Sequence, residues 1–100
     1  MHNTITYSPH YSVKINKIIN ALEIISGQRM ARFLKSYINA VDTITLYALS
    51  SSNPSKETLR RLNYKLKFFD EYVLIYRVSS NNVIKMIYIF SQSENYQEYI

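Results

Sequence analysis

The sequence contains no cysteine, which excludes disulfides and any thiolate metal site. It contains one glycine, Gly27, so a glycine-rich phosphate loop is also excluded. With so little glycine, tight turns must be made by Asn, Asp and Ser. No apolar run approaches the roughly 20 residues that span a bilayer, so no membrane partner is expected. The opening MHNTITYSPHYSV has no basic stretch followed by an apolar one, the pattern of a secretory leader. A cytoplasmic location is the expectation. Acidic residues are scarce: seven against twelve Lys and Arg, a net charge of +5. That balance points to an acidic partner, nucleic acid or protein. His2 and His10 stand eight apart without clustered carboxylates, so no metal and no cofactor are expected.

What is present reads as one domain over residues 1–100. Thr4 to Tyr7 alternates as a short strand, and Pro9 ends it. Ser12 is a candidate cap for the helix that follows. Ile15, Ile18, Ile19, Leu22 and Ile25 fall at helical spacing up to Ser26-Gly27, where the glycine suits a C′ position. Met30, Phe33, Leu34, Tyr37, Ile38, Val41 and Ile44 form a second stripe. The short junction forces an antiparallel helix hairpin or a sharp corner. After the loop Ser50 to Ser55 the period changes to two. Leu62, Tyr64, Leu66 and Phe68 share one strand face; Arg61, Asn63, Lys65 and Lys67 share the other. Asp70-Glu71 turns the chain into Tyr72 to Val78. The run from Ser79 to Asn82 turns it into Val83 to Phe90. The polar tail, residues 91–100, reads as a short extension that is flexible or one helical turn.

The fold class expected is α+β, in the order β-α-α-β-β-β. A two-helix hairpin packs on one face of an antiparallel sheet. The other face is then open, carrying the basic row with tyrosines beside it, which suits phosphate contact and base stacking. The bland alternative is a solvated sheet face, whose lysines discourage edge-to-edge pairing.

That order, together with three stretches, resembles the RelE/ParE family of bacterial type II toxin–antitoxin systems. Arg60-Arg61-Leu62 stands at the family's entry into the sheet. Tyr72-Val73-Leu74-Ile75-Tyr76-Arg77-Val78 resembles its Y-x-[ILV]-x-Y-x-[VI] strand. Ile89 to Tyr96 falls where many members read V-L-H-Q-R-R-D-Y. The resemblance implies a toxin neutralised by an acidic antitoxin that folds on binding. On an open sheet, Val73 and Ile75 beside basic groups are apolar positions suited to such a segment. It implies a target-binding or nucleic-acid-binding set of Arg60, Arg61, Lys65, Lys67 and Arg77. The sequence departs from the pattern at Ser91, Ser93 and Glu94, where the family carries a His and two Arg, and at Val73, where an Arg often stands. Those losses favour a ParE-like inhibitor of DNA gyrase or replication. The first alternative is a RelE-like mRNA endonuclease on the ribosome, with Arg61, Lys65, Lys67 and Tyr96 as candidate catalytic residues. The second is a non-toxic, toxin-derived binding protein of a mobile element.

Overall fold

The computed structural model describes residues 4–46, 63–79 and 83–94. Six elements follow in order: β1 Thr4–Tyr7, α1 Pro9–Ile25, α2 Gly27–Leu46, β2 Lys65–Phe69, β3 Tyr72–Val78 and β4 Val83–Ser91. The element order matches expectation. Arg60, Arg61, Leu62 and Tyr96 lie outside the described residues, as does the Ser50 to Ser55 loop.

Helix α1 starts four residues earlier than Ser12 suggests. Ser8 is its cap, in extended backbone, and the Tyr11 N–H donates to Ser8 Oγ at 3.1 Å. Pro9 is the first helical residue, where its missing N–H costs nothing. The helix ends at Ser26, which is extended (φ −169°). Gly27 has no positive φ and opens α2, so the C′ role is corrected: Ser26 alone separates the helices. The Met30 N–H donates to the Ser26 carbonyl. One linking residue makes the helices fold back on each other. The left-handed positions fall on Asn63 (φ 59°) and Asp70 (φ 48°), residue types that tolerate them without glycine.

The sheet order is β1-β4-β3-β2. β2, β3 and β4 form the expected antiparallel meander. β1 joins at the far edge and runs parallel to β4, so the sheet is mixed rather than all antiparallel. A parallel neighbour needs a long crossover, and the helix hairpin is part of that connection. β4 carries a bulge: Ile75 pairs with Tyr88 and Tyr76 with Met86, leaving Ile87 extra. Ser8 locks onto this point. Its N–H donates to the Met86 carbonyl at 2.9 Å and its hydroxyl to the Ile87 carbonyl at 2.6 Å.

The main core lies between helices and sheet. Tyr11, Phe33, Ala40, Ile44, Leu74, Tyr76, Ile84, Met86 and Ile89 are buried there. Ile25 and Ile38 of the sequence stripes are exposed instead, at 61% and 58%. In β3 every residue from Val73 to Tyr76 is fully buried. Burying each of these apolar side chains contributes about 1.5–3 kcal/mol, which makes β3 the spine of the fold.

Candidate target-binding face

Cross-strand pairing fixes which side of the sheet each residue occupies. Lys65 is opposite Tyr76 and Lys67 opposite Leu74, and both partners belong to the helix-side core. The two lysines are therefore on the helix side of the edge strand, half-buried beside α2, and not on an open face. The period-two alternation holds, but its two sides are exchanged. Leu66 and Phe68 point away from the helices, opposite Ile75 and Val73.

That second side is not a bare apolar surface. Leu66, Val73, Ile75 and Phe90 form a second buried cluster, with Tyr64 and Tyr88 packed on it. Val73 and Ile75 are 0% exposed, so they are not docking positions. The reason is that β3 is apolar on both faces, and both faces are buried.

The groups presented on this side are the half-buried Tyr64 and Tyr88 and the exposed His10, edged by cations, with Phe90 buried among them. Tyr88 stacks on Phe90 with centroids 5.6 Å apart, and Tyr64 meets Tyr88 edge-on at 6.4 Å. His10, from the first turn of α1, meets Tyr88 edge-on at 4.9 Å. At one end the Arg77 guanidinium lies 5.9 Å from the Tyr64 ring centre. At the other, Lys14 Nζ lies 5.8 Å from that of Phe90. Arg77 is directly opposite Lys85, and both are exposed. Like charges facing each other across strands are destabilising, so this pair favours an anion nearby. Burial raises the Tyr64 phenol, as does Tyr88, while Arg77 pulls it back.

Lys14 also donates to Glu94 Oε1 at 2.7 Å, the ion pair formed among the described residues. The Ser91 N–H donates to Glu94 Oε2 at 2.7 Å. Burial alone would raise the Glu94 carboxyl. The Lys14 hydrogen bond, the Ser91 N–H and the Lys14 charge outweigh it, and the pKa is lowered. The turn after β4 thus supplies a carboxylate that neutralises a lysine, where an arginine is expected from the resemblance.

Of the expected set, Arg77 stands on this face. Lys65 and Lys67 stand on the other, and Arg60, Arg61 and Tyr96 are outside the described residues. Lys85 and Lys14 were not singled out by sequence, and His10 was weighed only as a metal ligand or catalytic group. Lys85 is the lone charge in an apolar strand, as Arg77 is in its own. The antiparallel pairing of those two strands brings them together. Among the described residues no group of three or more His, Asp or Glu could hold a metal ion, and no helix is long and apolar enough to cross a membrane.

No family model and no curated protein matches the chain. A solved structure described as the "Chromosomal ParDE TA system from P. aeruginosa" contains a similar chain, with a TM-score of 0.69 at 10% identity. The superposition covers 89% of this chain and 95% of that one. At such identity the likeness is one of architecture. Two helices packed on a four-stranded sheet, in the order β-α-α-β-β-β, give this chain the fold of a chain in a ParDE toxin–antitoxin system.

Proposed function

We propose that this chain is the toxin half of a type II toxin–antitoxin pair, a cytoplasmic growth inhibitor held inactive by an acidic antitoxin. The observation that carries the reading is the shared architecture over 89% of the chain with a member of a ParDE system. The net charge of +5 supports an acidic partner. Within that reading, a ParE-like inhibitor of DNA gyrase or replication is favoured over an enzyme. Lys65 and Lys67 lie on the helix side, away from Arg77. Position 94, where the resemblance expects an arginine, holds a glutamate tied to Lys14. What the far side offers is a grip: stacked rings and paired cations. The target-binding set becomes Arg77 and Lys85, with Arg60 and Arg61 retained as proposals from the sequence.

A RelE-like mRNA endonuclease is the second reading. The half-buried rings of Tyr64 and Tyr88 beside Arg77 favour it, since base stacking and phosphate contact need such groups.

Pulse labelling in an inducible bacterial host tests the target. An early fall in thymidine incorporation supports gyrase or replication. If methionine incorporation falls first, translation is the target and the second reading replaces the first. If neither falls, the chain is a binding protein without toxicity. The antitoxin contact is tested by affinity against ionic strength, which weakens charge-led binding. Affinity unchanged by salt would remove the electrostatic argument.

A further inference from the structure

On the helix side of the sheet, the start of α2 faces the Asp70-Glu71 turn across a cavity of about 300 Å³. Arg29 and Arg32, one helical turn apart, line one wall. Asp70 and Glu71 line the other, and the half-buried Tyr72 lies between, backed edge-on at 4.9 Å by the buried Phe33. Tyr72 senses both walls: after burial, Glu71 raises its phenol, Arg29 lowers it and Asp70 raises it.

Two features are out of keeping with a merely structural seam. The first turn of α2 holds no acidic residue, and Arg29 sits there at the positive end of the helix dipole, where a cation is unfavourable. The four charges also stay apart: among the described residues neither arginine forms an ion pair with either carboxylate. The turn is held in place. Gln92 Nε2 donates to the Asp70 and Tyr72 carbonyls at 3.0 and 3.2 Å, and the Gln92 N–H donates to the Glu71 carbonyl at 2.7 Å. The walls are fixed on separate elements.

The occupant must therefore present anionic oxygens to one wall, hydrogen-bond donors to the other, and a flat body between. A bare anion supplies no donors for the carboxylates. We propose that the cavity binds a mononucleotide. Arg29 and Arg32 take the phosphate, for which the guanidinium fork is suited. Asp70 and Glu71 accept from ribose hydroxyls or base amino groups, and the base lies against Tyr72. This site is separate from the target-binding face, so it stands or falls independently of the toxin reading.

Isothermal titration of the purified full chain with AMP, GMP, CMP and UMP tests it, with inorganic phosphate and the matching nucleosides as controls. Saturable binding is expected for at least one nucleotide. Arg32→Ala should weaken it by about tenfold or more, the loss expected for one charge-assisted hydrogen bond. Glu71→Ala should also weaken it. The ring-proton signals of Tyr72 should shift on titration. Thermal melts of the variants separate lost binding from lost fold, and both side chains are exposed. The proposal is overturned if none of the four nucleotides binds. It is equally overturned if inorganic phosphate binds as tightly as the best of them, or if a folded Arg32→Ala protein binds unchanged.

Discussion

Tyr11 and Tyr37 share a short hydrogen bond between their hydroxyls across the helix hairpin. Tyr11 is 1% exposed, so its hydroxyl depends on that partner. Tyr37→Phe should cost about 1–3 kcal/mol, the penalty for stranding a buried polar group, read from chemical denaturation. Burial raises both phenols, and the shared bond raises Tyr11 further. The sign of the pH effect follows. Unfolded tyrosines release their protons near pH 10, while the folded pair retains them. Stability is full below that pH and falls as pH rises beyond it. Melting temperatures from pH 8 to 11.5 should show the fall, and it should be shallower in Tyr37→Phe. A Cβ added at Gly27 meets no atom within 4 Å, and its φ is not positive. Gly27→Ala should therefore raise stability by about 0.4–1 kcal/mol, mainly by restricting the unfolded chain. A lowered melting temperature would show that the single-residue corner needs glycine after all.

The strands show where sequence reading succeeds and where it stops. Alternation in Lys65 to Phe68 was legible because a strand sends neighbouring side chains to opposite faces. Which of those faces meets the helices was not, because Val73 to Tyr76 is apolar on both sides and gives no parity to choose by. The meander was legible from its short turns, whereas the parallel pairing of β1 depends on contacts some eighty residues apart in sequence. The helix start was readable in principle: Ser8 followed by Pro9 is a stronger signal than Ser12, since proline suits the first helical position. The candidate face was mostly hidden, because Arg77, Lys85, Tyr64 and His10 come from four separate segments. The Arg77–Lys85 pair yields its own expectation. Lys85→Glu turns a repulsive cross-strand pair into an attractive one, gaining about 0.2–1 kcal/mol. The same change should abolish growth inhibition in an induction assay. Greater stability with full toxicity would mean that the target is met elsewhere.

For the whole molecule, what matters is how the two burial layers and the edge elements are joined. One core sits between helices and sheet, and the second lies beyond the sheet around Val73 and Ile75. β1, next to β4, is short and mostly exposed, and by area it contributes little. Its placement has a mechanical meaning. Thr4 pairs with Val83 and Tyr7 with Met86, so the first and last strands lie side by side and point the same way. Tension applied between Thr4 and Ser91 loads that pair along its length, and all the cross-links must fail together. Tension between Lys65 and Val78 instead opens the β2–β3 hairpin one rung at a time. Single-molecule pulling should find a higher rupture force in the first geometry than in the second. Four residues at the sheet edge, riveted by Ser8 to the bulge in β4, thus form a shear clamp against any machine that draws the chain in by one end.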